Sequence, residues 1–309
     1  MEAIGKLPDG NFEPEKQALV ITPVNRLTLK QRAAAYKNRP FSFFLLGLVT
    51  LAAAATILVF LLLIGYIFAK GVPNIKPELF AWEYSTENVS MLPSIINTFL
   101  MTFATLMLAV PIGVFSAVYL VEYAKRGSRL VSAVRITTET LAGIPSIVYG
   151  LFGYLMFASA LKWGYTFIGG VLTLTIMVLP TMMRTTEEAL KAVPDSFREG
   201  SFGLGAGKLR TVFSIVLPSA VPGIFSGVVL STGRIVGETA ALIFTAGTKA
   251  AVPKDIFSST RTLAVHMYSL LSEGLYINQA YATAVVILVM VIAINAVSSY
   301  LAGMIVKKH

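Results

Sequence analysis

The 309-residue sequence contains no cysteine and few charged residues. Without cysteine, the chain has no disulfide, no thiolate nucleophile and no cysteine-ligated metal centre. Charged residues make up 13% of the chain and hydrophobic residues 55%, whereas a soluble domain has about 25% and about 45–50% of these classes. The composition excludes an ordinary soluble protein and predicts an all-α integral membrane protein.

The sequence also lacks a nucleotide-binding loop and a cluster of metal ligands. In GLGAGKLR (203–210), Leu209 stands where an ATP-binding loop needs a hydroxyl that reaches Mg²⁺. His266, in STRTLAVHMYSLLSEG (259–274), has no metal-ligating partner nearby, so we expect it at the surface of an amphipathic outer helix. We therefore predict no catalytic residue, no metal site and no cofactor in this chain.

Long apolar segments are what the chain has instead. A span of the hydrocarbon core takes about 20 residues, and six segments are predicted to cross it as helices. Residues 1–42 form a polar tail, and residues 43–309 form the transmembrane domain. The predicted spans are Phe43–Ala69, Ile95–Val121, Ile136–Leu161, Phe167–Met183, Ser219–Ala246 and Ala280–Val306.

The lysine and arginine residues predict the orientation. With the N-terminus inside, 18 of the 25 lie in cytoplasmic segments and six outside, and the remaining one is Arg234. Cytoplasmic loops carry the excess of positive charge, so both termini are predicted to be cytoplasmic in a cell membrane. The net charge of +9 is thus explained by topology and lipid contact, and no nucleic-acid partner is expected.

The largest cytoplasmic segment, 184–218, is too polar to span and too patterned for a slack loop. Pro194 suits the first position of a helix, and Ser196 with Glu199 fits a capping box. Gly203, Gly205 and Gly207 end the helix and permit a tight turn. A short exposed helix with aromatic residues is suited to a partner's groove, although an amphipathic helix resting on the bilayer fits the same pattern.

The same segment resembles the cytoplasmic EAA loop of ABC importer permeases. Glu199-Gly200-Ser201, three residues, Gly205, nine residues, Ile215 and Leu217-Pro218 follow the family pattern, with Gly200 and Ser201 in place of its two alanines. The resemblance implies the type I ABC importer permease fold. It also implies that residues Ser196 to Ala206 form the coupling helix that docks on an ATPase subunit. The residues so implicated are Ser196, Phe197, Arg198, Glu199, Gly200, Ser201, Gly205 and Ala206.

Three further stretches are similar to permeases of the high-affinity phosphate importer, most of all the PstA type. They are GRIVGETAALIFTAGT (233–248), LAGIPSIVYGLFG (141–153) and PSIINTF (93–99). The resemblance implies a phosphate-transport permease rather than an enzyme. Its partners would be a homologous PstC-type permease, a PstB-type ATPase dimer that binds ATP and Mg²⁺, and a PstS-type phosphate-binding protein.

Arg234 and Glu238 lie four positions apart in an apolar segment. On one continuous helix they would share a face and could form a structural pair. Alternatively they line the route of the anion, since charged residues within spans mark transport pathways. We predict that Arg234 lowers the barrier for phosphate and Glu238 tunes it, and that Asn97, Glu139 and Ser146 also line the path. For Asn97 and Ser146, interhelical hydrogen bonds are the first interpretation, and Glu139 also fits the headgroup boundary.

Two other functions remain open at this point. The cargo of the same class of importer could be sulfate, molybdate or phosphonate. An ion-coupled secondary transporter would use Arg234 and Glu238 as a relay, but such carriers often show two inverted halves, and the sequence shows none.

Overall fold

The computed structural model describes residues 40–306 apart from residue 126. Most of the predicted tail therefore lies outside the described residues. Within them, all regular structure is helical. The helices are α1 (Pro40–Gly71), α2 (Leu92–Val118), α3 (Arg129–Ala142), α4 (Ser146–Gly153), α5 (Phe167–Ala192), α6 (Asp195–Gly203), α7 (Lys208–Thr211), α8 (Leu217–Val236), α9 (Ala240–Thr245), α10 (Leu263–Glu273) and α11 (Ile277–Val306). Wide helical turns of the π type extend α2 to Tyr123 and α4 to Ala160 and join α7 to α8.

Five helical stretches of the described chain are long and apolar enough to cross a membrane. They are Phe41–Asn74, Leu92–Tyr123, Phe167–Ala192, Lys208–Val236 and Ile277–Tyr300. The third predicted span in chain order, Ile136–Leu161, consists of two helices that are bent by 104° relative to each other. If the bent pair is one span, the described chain has six spans, and otherwise it has five. Six continuous helices were predicted.

The bend in the third span lies at Gly143–Pro145. A proline disfavours helical backbone at the residue before it, and Pro145 itself is extended, with ψ 142°, just ahead of α4. The Tyr149 hydroxyl donates to the Leu141 carbonyl oxygen at 2.7 Å and so links α4 to the end of α3. Pro145 within LAGIPSIVYG predicts a kinked helix, and the structure has a full break there.

The fifth span also breaks, which was not predicted. The segment Ser219–Ala246 was expected to be one helix, but helical structure starts at Lys208, stops at Val236 and resumes as the short helix α9 at Ala240. Irregular backbone at this depth is tolerated where it is buried in protein or lines a water-filled cavity. Residues 237–239 therefore place unwound backbone next to the two charges of this span.

The chain divides into two units, residues 1–62 and residues 63–309. In the second unit the core brings α2, α5, α9 and α10 together around Met101, Leu174, Leu242 and Val265, each at most 1% exposed. Small residues permit close helix approach: a Cβ placed on Gly113 of α2 would lie 2.8 Å from the Met182 Cβ of α5.

Candidate translocation site and coupling loop

Arg234 lies in the last turn of α8, where the partial negative charge of a helix end favours a cation. Its side chain is half-buried. It forms no salt bridge with any residue that the structure describes. The guanidinium is thus stabilised by a helix end and has no carboxylate that neutralises it.

Glu238 lies beyond the end of α8 and is 8% exposed. Its Oε1 accepts a hydrogen bond from the Ala241 backbone N–H at 3.1 Å, in the first turn of α9. The predicted pairing of Arg234 with Glu238 on one continuous helix is wrong, because Gly237 ends α8 between them. Each charge instead interacts with the helix end of opposite polarity.

The surface of α8 beside Arg234 is partly open. A Cβ placed on Gly233 would meet nothing within 4 Å, and Leu230, one turn before Arg234, is 60% exposed. Gly227, two turns before Arg234, differs, because its Cβ would overlap Thr185 of α5. Glycine permits close helix approach, and Gly227 makes such a contact, whereas Gly237 ends α8.

The two broken spans pack on each other next to this face. A Cβ on Gly150 of α4 would lie 2.8 Å from the Ala241 Cα of α9. Ser146 begins α4 and is half-buried. Tyr149 lies near enough to Arg234 for their charges to interact. The structure therefore places α4 and α9 together beside Arg234, and Tyr149 joins the candidate site.

Glu139 lines a cavity of about 540 Å³ between α3 and α5. Glu187, on α5, accepts from Arg135 of α3 and from Lys191, each at 2.6 Å. Arg184 and Glu188, also in this lining, pair at 3.0 Å. Glu139 itself is exposed. The cavity has charged residues of α3 on one side and of α5 on the other, and it lies toward the end of α5 that leads into segment 184–218.

Asn97 was first expected to make hydrogen bonds between helices, and it instead joins α2 to the loop between α9 and α10. It is fully buried in α2, and its Nδ2 donates to the Ala251 and Arg261 carbonyl oxygens at 3.0 and 3.1 Å. Its role in the path stays a prediction.

In the coupling loop, α6 begins at Asp195 and Pro194 precedes it. The predicted start at Pro194 and the capping box are wrong, because the helix begins one residue later and Ser196 lies within its first turn. The helix ends at Gly203 as predicted. Gly205 has φ +82°, a left-handed conformation that favours glycine.

One face of α6 is fixed to the rest of the protein. Arg198 donates to Glu122 Oε1 through Nε at 3.1 Å and Nη2 at 2.7 Å, and to the carbonyl oxygens of Leu190 and Val193, both at 2.9 Å. It also pairs with Asp195 at 3.1 Å. The end of α2 and the end of α5 are thereby tied to α6.

The remaining predicted coupling residues are divided between an inner and an outer face. Ser201 is buried and its Oγ lies 2.8 Å from Thr211 Oγ1, while Ala206 is half-buried. Ser196, Glu199 and Gly200 are exposed. Three apolar side chains are exposed as well: Phe197 (49%), Phe202 (47%) and Leu204 (91%).

His266 was expected at the surface and is fully buried, so that prediction is wrong. Arg261 was not identified from the sequence, and it is 5% exposed. It lies two residues before α10, but its burial depends on Tyr84, from the loop before α2.

The model for the family described as binding-protein-dependent transport system inner membrane component matches residues 109–308. The probable ABC transporter permease protein YqgI of Bacillus subtilis is 35% identical over 281 residues, which are 85% of this chain and 95% of the relative. The phosphate transport system permease protein PstA of Haemophilus influenzae is 30% identical over 74% of this chain and 82% of its own length. PstA 1 of Mycobacterium tuberculosis is 41% identical, over 48% of this chain and 48% of its own length.

Solved structures with the same arrangement of helices have little sequence identity to this chain. A chain of a bacterial alginate ABC transporter aligns with TM-score 0.66 at 14% identity, over 86% of this chain and 96% of that chain. A chain of the inward-facing MetNI methionine ABC transporter aligns with TM-score 0.54 at 18% identity, over 78% and 97%. At these identities the likeness concerns the fold alone.

Proposed function

Because the chain belongs to the family of binding-protein-dependent transport system inner membrane components, we propose that it forms the phosphate path of an ATP-driven importer. Its fold is that of a type I ABC importer permease, as expected from the EAA loop. The chain is a multi-pass membrane protein, and its family works with a substrate-binding protein and an ATPase. In this proposal both termini are cytoplasmic.

Three types of partner belong to this proposal. A PstC-type permease covers the open face of α8, so that the path runs between two permease subunits. A PstS-type protein delivers phosphate, and a PstB-type ATPase dimer binds ATP and Mg²⁺ and hydrolyses the nucleotide. The relatives named as PstA permeases support this assignment.

The observation that carries the proposal is the state of Arg234. A guanidinium without a carboxylate partner among the described residues, half-buried beside unwound backbone, is suited to a passing anion, since its planar fork matches an oxyanion. Glu238 lies four residues away and limits how tightly phosphate is held. Weak binding is needed because an ion that is held tightly does not leave.

The two faces of α6 explain how movement of the ATPase reaches the transmembrane helices. The exposed aromatic side chains Phe197 and Phe202 insert into a groove of the ATPase, as short helices do in partner grooves. Arg198 then passes the movement of α6 to α2 and α5 through its bonds to Glu122 and Leu190. Glu139 and its charged cavity lie on the cytoplasmic side of the path.

The test is phosphate uptake into vesicles that contain the full complex. Arg234→Ala abolishes uptake, while assembly with the ATPase and its docking remain. Arg234→Lys retains part of the uptake if the positive charge suffices, and little if the planar fork is needed. Normal uptake by Arg234→Ala would refute the proposal, and stronger competition by sulfate, molybdate or phosphonate than by phosphate would assign another oxyanion to the same path.

A further inference from the structure

Arg261 is a second cation inside the protein, far along the chain from the break in α8. It lies directly before α10, is 5% exposed, and its Cζ lies 4.6 Å from the ring centroid of Tyr84. It forms no salt bridge with the described residues. The carboxylate that acts on its charge, Glu273, lies at the far end of α10 and makes no ion pair with it. A positive charge is therefore held in the protein without an anionic partner.

The free donors of Arg261 form one edge of the guanidinium. Nε and Nη2 are both buried and have no hydrogen-bond partner among the described residues. These two N–H groups point in the same direction, and together they make the paired contacts that guanidinium forms with carboxylate and phosphate oxygens. Tyr84 covers a face of the guanidinium and its hydroxyl also interacts with the charge of Arg261, but Nε and Nη2 stay without a partner among the described residues. An uncompensated buried ion costs several kcal/mol, more than the roughly 2 kcal/mol a desolvated cation–π contact supplies.

His266 adds further unused hydrogen-bonding groups. It is fully buried, its ring is edge-on to Tyr84 with the centroids 6.2 Å apart, and neither Nδ1 nor Nε2 has a partner among the described residues. Burial and the charge of Arg261 lower the pKa of His266 to about 3. The imidazole is therefore neutral near pH 7, and one ring nitrogen carries a proton it can donate.

The backbone around these side chains is held firmly. Asn97 Nδ2 donates to the Arg261 carbonyl oxygen at 3.1 Å, and Thr98 Oγ1 accepts from the Leu263 N–H at 2.8 Å, so α2 fixes the start of α10. The Thr262 hydroxyl is also buried without a partner. A set of donors that is fixed before binding loses little conformational entropy when a ligand arrives.

We propose that Arg261 and His266 form an oxyanion-binding site, distinct from Arg234, on the side of the membrane predicted to be external. The free guanidinium edge holds two oxygens of a tetrahedral anion, and the imidazole N–H contacts a third. The inference rests on the proposed function, in that the anion is the transported phosphate on its way to Arg234. Among the described residues no carboxylate forms an ion pair with Arg261, so that the site attracts anions.

The experiment measures how phosphate shifts the thermal unfolding of the purified complex without its binding protein. A ligand of the folded state raises the midpoint with its concentration. Arg234→Ala removes the proposed path contact, so the remaining phosphate response is expected to come from Arg261. The substitution Arg261→Lys is then added to the Arg234→Ala variant and keeps the charge and the stacking on Tyr84. It is expected to weaken the apparent affinity for phosphate about tenfold or more, as loss of a charged hydrogen bond implies.

A second variant guards against misfolding. His266→Phe, in the Arg234→Ala background, removes two buried nitrogens without partners, so it is expected to make the complex at least as stable without phosphate. It is expected to weaken the phosphate response by a few-fold. The control is Lys254→Gln in the same background, which removes an exposed positive charge from the same external segment and is expected to leave the response unchanged.

Three results overturn the inference: Arg234→Ala alone removes the whole response, Arg261→Lys responds like the control, or His266→Phe is more stable with an unaltered response. In the last two cases Arg261 and His266 bind water and do not bind phosphate. The uptake assay separates these failures from that of the proposed function. If the unsubstituted complex imports phosphate and Arg234→Ala does not, the permease assignment stands whether or not Arg261 binds the anion.

Discussion

Arg198 and Arg234 are the same type of residue in opposite surroundings. Arg198 donates to two carboxylates and two backbone carbonyl groups, and its side chain is 15% exposed. Arg234 forms no salt bridge among the described residues and is half-buried beside a partly open surface of α8. The partnered arginine has no donor to spare for a ligand and acts as a structural connection, whereas the unpaired one is available to an anion.

The comparison extends to the surface of α8. Gly227, two helical turns before Arg234, is in contact with α5 through Thr185, whereas Gly233 faces open space about 100° around the helix from Arg234. Arg234 therefore lies between a packed and an open part of the helix surface, and its side chain is half-buried. A substitution at Gly227 should act on stability, and one at Arg234 on transport.

The largest effect is expected from Arg198→Ala. Glu122, whose side chain is 9% exposed, would lose its partner, and removing one member of a buried pair costs about 3 kcal/mol or more. The coupling helix would also lose its connection to α2 and α5. We expect a lower thermal midpoint of the complex and loss of ATP-driven uptake, measured side by side.

The matched control for Arg198 is Arg210→Ala, because Arg210 is exposed in the same cytoplasmic segment and should leave both quantities unchanged. If Arg198→Ala retains normal uptake and stability, then the arginine connection does not transmit movement, and the contrast with Arg234 has no functional meaning.

A smaller effect is expected from Gly227→Ala. The added Cβ would overlap the Thr185 hydroxyl and lie 3.0 Å from the Thr185 Cβ, and overpacking costs about 1–3 kcal/mol. Gly233→Ala on the open face should leave stability unchanged or raise it slightly, since alanine favours helix by about 1 kcal/mol. Thermal midpoints of the two variants of the complex test this. Equal destabilisation by both would mean that the surface of α8 at Gly233 is packed in the assembly.

The sequence predicted those parts of the fold that depend on local chemistry. Long apolar segments placed five spans, and Pro145 indicated the break before α4 because a proline restricts the residue before it. The glycine run placed the end of α6 at Gly203. The start of α6 was misplaced by one residue because Pro194 fits two neighbouring positions at a helix start.

Glycine is a common helix-ending residue, and α8 ends at Gly237, but the apolar residues that follow did not indicate that the helix would stop there. The packing of α9 on Gly150 of α4 accompanies the break, and this is a contact between segments far apart in the chain. The burial of His266 has the same origin, since Tyr84 from the loop before α2 lies against it. The sequence therefore predicted some residues of the candidate site, but it did not predict how they are arranged in space.

The central claim is that Arg234 is accessible to an anion from water. The chain has no cysteine, so Arg234→Cys introduces its single thiol, and Ile235→Cys, at a position 1% exposed, is the buried neighbour for comparison. In the assembled complex we predict that an anionic, membrane-impermeant thiol reagent modifies residue 234 and not residue 235, and that phosphate slows the modification. A thiol at 234 that stays unreactive to the reagent added from either side of the membrane would contradict the account.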